Sequence, residues 1–324
     1  MREYKNKNPE FKDSINLIEY TDTNHADNVI AADICNFENT LANKKDIENL
    51  SAKVDTEIDT LFKQLNFIYR GINLVEKFKK EIAKFSDEWA WIKDRIEKNN
   101  FNGIHIGDYV PLKLKNEEYL EMQIAGIDTY ADIEKNPRVK HHIDFISRDC
   151  LKNTVKWNLS QTNNGRQGSE NPFVNSNIYQ FLNKSVHELL PEQLQSKISS
   201  KSMFAELRYS TGYAPGQMPH SYSFDFISVG KLWLPTEYEI YGKCTYGTPK
   251  FSEGHIIQYP LFANNLLHRI KKSGSQGSAC SWWSSTAANG TFTAACLNSQ
   301  FGVPDRTDVR GDFFAPLCFR IAAQ

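Results

Sequence analysis

Between Ile47 and Ile96 the apolar side chains fall three or four residues apart almost without exception: Ile47, Leu50, Val54, Ile58, Leu61, Leu65, Ile68, Ile72, Val75, Phe78, Ile82, Phe85, Trp89, Ile92 and Ile96. The steps average about 3.5, the period that keeps one apolar seam facing a partner helix and drives left-handed supercoiling. A continuous helix of this length spans roughly 75 Å at 1.5 Å per residue. It cannot bury its seam alone, so it must pair with copies of itself or fold back as a hairpin. Gly71, in YRGIN, is the hinge such a hairpin would use. The β-branched seam residues and the unbroken phase across Gly71 favour a parallel oligomer, read here as a trimer.

After KNNFNG (Lys98 to Gly103) the texture changes to Gly, Pro, Tyr and alternating apolar residues, which marks a domain boundary. IHIGDYVPLKL and YLEMQIAGIDTY alternate as two strands around a turn at Asn116-Glu117. Helical patterns follow at Asn177 to Asn183 and Pro191 to Ser199, and KLWLPTEYEIYG reads as a strand entering a short helix. SWWSST, TFTAACLNS and APLCFRIA alternate again. The expected fold class is α+β, in three regions: an N-terminal segment over 1–45, a long α-helical coiled-coil stalk over 46–100, and a domain of short antiparallel strands over 101–324.

The charge balance, 38 basic against 39 acidic residues, gives no electrostatic reason to expect nucleic acid or an anionic membrane as partner. No apolar run reaches the roughly 18 residues of a membrane span, and MREYKNKNPEF lacks the apolar segment of a secretion signal. Synthesis in the cytoplasm without a signal peptide is therefore expected. The six cysteines form no C-x-x-C pair and read as buried thiols. His141 and His142 are adjacent on a strand, which sends their side chains to opposite faces and argues against a shared metal. Nucleotide-binding, hydrolase-elbow and zincin motifs are missing, so neither a cofactor nor a catalytic role is expected.

Two stretches carry resemblances. YTDTNHADNVIAADICNFENTLANKKDIENL (Tyr20 to Leu50) is similar to the N-terminal segment of bacteriophage tail-fibre and baseplate proteins, through Thr23, Ala26, Asp27, Asn28, Ala32, Asn36, Phe37 and Glu38. Cys35 stands where that pattern has an apolar residue. From Gly103 onward, GDYV, IAGIDTY, KWN, FLN, LPEQLQSKI, LWLPTEYEIYG, QYPLF, WWSST and APLCFRI occur in the order of a domain recurrent in phage and bacterial surface proteins. That domain is placed by analogy beside C-type-lectin-like folds, whose relatives include phage receptor-binding proteins and formylglycine-generating enzymes. Phe314-Ala315-Pro316 replaces an arginine-bearing closing motif.

These resemblances imply a virion adhesin of the phage tail or baseplate. Its N-terminal segment would contact other tail or baseplate proteins, and its lectin-like head would bind a saccharide or protein on the bacterial surface. A purely structural tail component is the first alternative. A formylglycine-type enzyme using Cys296 and Cys318 is the second, although both lie in apolar strands that suit core thiols. In a strand, Trp282 and Trp283 point to opposite faces, so one should anchor the core and the other line a binding surface. With them, Asn289 and the polar loop residues Asn298, Gln300, Asp305, Arg306, Asp308 and Arg310 form the expected ligand-binding set. No metal is expected among them.

Overall fold

The computed structural model describes residues 71–131, 140–163, 169–209, 222–248, 255–289 and 293–323, together with residues 53 and 56. The chain divides into two units, Met1–Tyr69 and Arg70–Gln324. The resemblance over Tyr20 to Leu50 and the seam residues from Ile47 to Ile68 lie outside the described residues. The seam is on view from Ile72 to Ile96, and that part overturns the expected stalk.

Gly71 sits in the left-handed region at φ +78°, where a Cβ would stand 1.8 Å from the carbonyl oxygen of Gly107. No helix runs through it. Two residues on, Asn73 Oδ1 accepts from the amides of Val75 and Glu76 at 3.0 and 3.4 Å and opens α1, Leu74–Lys77. Helix α2, Lys79–Ile82, follows, and then Asp87 Oδ1 accepts from Ala90 N–H at 2.7 Å to start α3, Glu88–Glu97. Such caps satisfy amides that a continuous helix would have paired internally. Leu74, Trp89, Ile92 and Ile96 are buried in the core of the second unit, with Trp89 edge-on to Phe145 and Phe319 at 5.7 and 5.6 Å. Of the seam residues on view, Trp89, Ile92 and Ile96 are buried within the same chain, Trp89 against the sheet, where sister helices were expected; Val75, Phe78, Ile82 and Phe85 are half-buried and Ile72 is exposed.

That sheet is antiparallel, in the order β1-β2-β3-β14, with β1 Tyr109–Lys113, β2 Tyr119–Ile127, β3 His142–Cys150 and the C-terminal strand β14 Pro316–Ala322. All seven residues of β14 are buried. Its outer edge is closed by two chain segments: Ser199 N–H donates to Arg320 O at 2.9 Å, and Trp233 N–H to Cys318 O at 3.2 Å. Between β3 and β14 in sequence come β4 Val155–Lys156, β5 Ser169–Glu170, β6 Ser202–Tyr209 and β7 Tyr222–Ser228. A helical stretch, α4 Asn177–Gln180, passes through a π-helical turn at Phe181–Val186 into α5 His187–Leu189, and α6 Glu192–Gln195 follows. Strands β5-β6-β7 make a second small sheet.

Two further helices, α7 Glu237–Tyr241 and α8 Pro260–Asn264, lead through the 3-10 turn Leu266–Arg269 to β8 Lys271–Lys272 and β9 Ala279–Cys280. The hairpin sheet β10-β11-β12 follows, with β10 Trp282–Ala287, β11 Ala294–Asn298 and β12 Pro304–Asp308, and then β13 Asp312–Phe313 pairs with β4. The fold-class expectation is thus corrected. In place of a long coiled-coil stalk feeding a separate lectin-like head, short helices and small antiparallel sheets share one core from residue 71 onward.

The core contains a buried ionic network. Arg320 grips Asp144 with two bonds of 2.7 Å, and Tyr259 hydroxyl donates to Asp144 at 2.9 Å. Lys201 Nζ donates to Tyr259 Oη at 2.9 Å and to Glu239 at 2.5 Å, and Tyr130 donates to the same Glu239 oxygen at 2.5 Å. The Lys201 ammonium also lies 3.9 Å from the Trp233 ring centroid. Charges stripped of water need this density of partners. Glu239 additionally closes the capping box of α7, accepting from Thr236 N–H at 2.8 Å while Thr236 Oγ1 accepts from Glu239 N–H at 3.0 Å. The network therefore ties β3, β14 and α7 into one body.

Candidate functional site

The hairpin β11–β12 and the segments beside it hold most of the residues nominated from sequence, and the structure sorts them. Trp282 and Trp283 are both at zero exposure, so the expectation that one lines a surface is corrected. Alternation does send them to opposite faces, but β10 has packing on both. Trp282 stacks near Phe262 and donates its indole N–H to Arg269 O at 3.0 Å. Trp283 meets Phe313 edge-on at 5.2 Å and donates to Val155 O at 2.8 Å. Asn298 is buried too, donating to Arg269 O at 2.6 Å and Ser299 O at 2.9 Å while its Oδ1 accepts from the Tyr241 hydroxyl. Those three side chains build the site's foundation and do not reach its surface.

The rest stand outside. Gln300, Asp305, Arg306 and Arg310 are exposed, and Asn289 and Asp308 are half-buried. Arg306 and Asp308 oppose Cys296 and Ala294 in register and therefore share one face of the edge strand. On that face Ala288, Ala294 and Cys296 pack under Tyr246, whose ring carries the Arg306 guanidinium at 5.4 Å. Tyr246 is held there by Glu237: its carboxylate accepts from Tyr246 N–H at 3.1 Å and Gly247 N–H at 2.7 Å. Arg306 also donates to Asn289 O at 3.5 Å. Farther along, Asp308 accepts from Arg310 Nε and Gln161 Nε2, both at 3.1 Å. The Arg310 hydrogen bond outweighs partial burial and holds the Asp308 carboxyl below its usual range. A planar, polar strip of amide, guanidinium and carboxylate groups thus runs along the edge strand.

The hairpin's tip adds a residue that sequence reasoning passed over. In NSQFGVP, Ser299 Oγ accepts from Phe301 N–H at 3.3 Å and Val303 N–H at 3.4 Å, and Gly302 N–H donates to Ser299 O at 2.9 Å. Gly302 takes φ +76°, a conformation other residues adopt only with strain. This tight turn drives Phe301 outward to 73% exposure. Val303, two residues on, is 53% exposed, and on the neighbouring 3-10 turn Leu266 is 61% exposed, with Leu267 and Ile270 also exposed. Ile270 Cγ1 would meet a Cβ placed on Gly302 at 3.1 Å, so the two turns are in direct contact. Exposed apolar side chains on two touching turns mark a contact surface more often than scattered single residues do. The signal in the sequence was a large aromatic beside glycine in an otherwise polar turn.

Other chemistry-bearing groups are absorbed elsewhere. His141 Nδ1 pairs with Asp128 at 2.7 Å, whereas buried His142 bonds Lys140 O at 3.0 Å through Nδ1 and accepts from Tyr130 N–H at 3.4 Å through Nε2. Burial holds His142 below the ordinary imidazole value. Cys296 abuts Glu237, whereas Cys318 lies toward Lys271, and burial pushes both thiols up. The two thiols thus have different surroundings, and neither is lowered toward the thiolate form. A recess lined by Asn171, Phe173, Met203, Glu206 and Ser285 leaves the Ser285 hydroxyl without a protein partner, but its carboxylate is committed to Arg208 at 2.8 Å. No cluster of three His, Cys, Asp or Glu able to hold a metal occurs among the described residues, and no described helix is long and apolar enough to cross a membrane. No family model, curated protein or solved structure matches this chain.

Proposed function

We propose that this protein is a recognition protein, a bacteriophage tail or baseplate adhesin carried on the virion, whose β11–β12 hairpin grips a saccharide or protein on the bacterial surface. The observation that carries the reading is Phe301, held outward at 73% exposure by a hydrogen-bonded turn, beside exposed Val303 and ahead of the polar edge strand. An aromatic face flanked by planar hydrogen-bonding groups is the combination that binding surfaces use, because it offers large contact area at small entropic cost. Display of several hairpins on one trimer belongs to the same proposal. Weak contacts presented together gain through effective concentration, by roughly 100-fold or more.

The test is co-sedimentation of the full chain with isolated bacterial cell envelopes. Phe301→Ala should weaken binding by about 30-fold, the effect of a central hot spot worth roughly 2 kcal/mol, and Arg306→Ala should weaken it less. Lys98→Ala, remote in sequence and exposed, serves as control. Wild-type protein that ignores envelopes, while Phe301→Ala disturbs assembly with other tail proteins, would favour the purely structural reading of the same patch.

A further inference from the structure

Strand β10 carries three consecutive hydroxyls, and the fold uses two of them. Ser284 Oγ donates to Cys296 O at 3.0 Å, and Thr286 Oγ1 accepts from Glu237 N–H at 2.9 Å. Ser285 lies between them, where the β10–β11 ladder is interrupted between Trp283 and Ala287, and its backbone N–H donates to Pro235 O at 3.0 Å. Its hydroxyl has no protein partner although the residue keeps only 9% exposure. An unpaired hydroxyl out of reach of bulk water is costly, so a hydrogen-bonding group arriving from outside finds a ready partner there.

Ser285 lines a recess of about 30 Å³, room for two water-sized groups at roughly 10–15 Å³ each. Phe173, Met203, Ala205, Val229 and Ala287 give it buried apolar walls. The other polar linings are committed: Asn171 donates to Glu206 O at 2.9 Å and accepts from Val174 N–H at 3.0 Å, and Thr236 belongs to the α7 capping box. Glu206 is neutralised by Arg208 through bonds of 2.8 and 3.3 Å. Phe204 also lines the recess but is only half-buried, its ring centre 5.3 Å from its cross-strand partner Phe226 and 4.8 Å from His255.

We infer that this recess is a sugar subsite that takes the exocyclic hydroxymethyl group of a hexopyranose, free or within a glycan. That group has two heavy atoms, which matches the space. Its methylene meets the apolar walls, and its hydroxyl pairs with Ser285 Oγ, which both donates and accepts. The pyranose ring then lies toward Phe204, whose electron-rich face attracts polarised C–H groups. An ammonium or carboxylate would lose its water without gaining a counter-charge, because Arg208 and Glu206 already neutralise each other. A methyl group in the same place would leave Ser285 unpaired. None of the β11–β12 hairpin residues lines the recess, so the inference does not rest on the hairpin reading.

The experiment titrates the full chain with the methyl glycosides of glucose, galactose and mannose, followed by saturation-transfer difference NMR. At least one should bind with a millimolar Kd, with its exocyclic methylene protons strongly saturated. The 6-deoxy analogue of that glycoside should bind about 10-fold more weakly, a comparison that needs no variant. Ser285→Ala, which removes no bond the protein makes, should weaken the parent glycoside about as much and bring it level with the deoxy analogue. Binding by none of the three, a 6-deoxy analogue that binds as tightly as its parent, or parent binding that survives Ser285→Ala but is lost in Phe301→Ala would each overturn the inference.

Discussion

Trp283 and Phe301 are aromatic residues of one small sheet with opposite environments, and single substitutions should separate them. Trp283→Ala removes a ring packed on Phe313 and frees the Val155 carbonyl. It should cost about 3–5 kcal/mol in a urea titration, the range for a large aromatic lost from a core. Phe301→Ala touches little and should change stability by less than about 0.5 kcal/mol, as surface substitutions do, while weakening envelope binding. A small stability effect at Trp283 would mean its ring is not where the fold is held. The sequence disclosed the polar strip of Gln300, Asp305, Arg306, Asp308 and Arg310 because charged side chains in a turn-rich stretch are seldom buried. It misjudged the tryptophans because alternation fixes which way a side chain points and says nothing of what covers that side.

Among the elements, the start of α1 offers a test by sign. Were Gly71 the middle of a continuous helix, Gly71→Ala would stabilise by about 1 kcal/mol through helix propensity. In this fold it forces a Cβ onto the Gly107 carbonyl at a left-handed φ, so destabilisation of about 1–3 kcal/mol is expected from chemical denaturation. The β3–β14 pair makes a second test. Burial works to raise the Asp144 carboxyl, but Arg320 outweighs it, with help from His142 and Lys201, and holds the group far below the carboxylate range. A depressed folded-state value means the contribution is complete above the unfolded value of about 3.9 and fades as pH drops below it. Wild-type protein should therefore lose stability between pH 5 and pH 2, to an extent set partly by this pair. Arg320→Met leaves a buried carboxylate uncompensated and should cost about 3–5 kcal/mol at pH 7, with a flatter acid profile. Strands β1 and β2 were legible from alternation. The π-helical turn and the strand-edge closure by Ser199 and Trp233 were not, since both depend on partners far along the chain.

At the scale of the whole molecule, light scattering on the intact chain should return about three times 37.2 kDa; a monomer would remove the avidity that the proposed adhesin relies on. The residues from Leu74 to Ile96 cannot supply that association, because their apolar face is already spent inside the second unit. By itself the sequence determined that apolar surface would have to be hidden and where several turns would fall, because these follow from local spacing; buried Asn298 and the buried Asp144–Arg320 and Lys201–Glu239 pairs show that it did not determine which polar side chains stay in water. Only the tertiary structure decided what does the hiding. A three-and-four spacing is satisfied equally by a sister helix or by a sheet from the same chain, and the choice rests on contacts between residues far apart in sequence, such as Trp89 with Phe319 and Arg320 with Asp144.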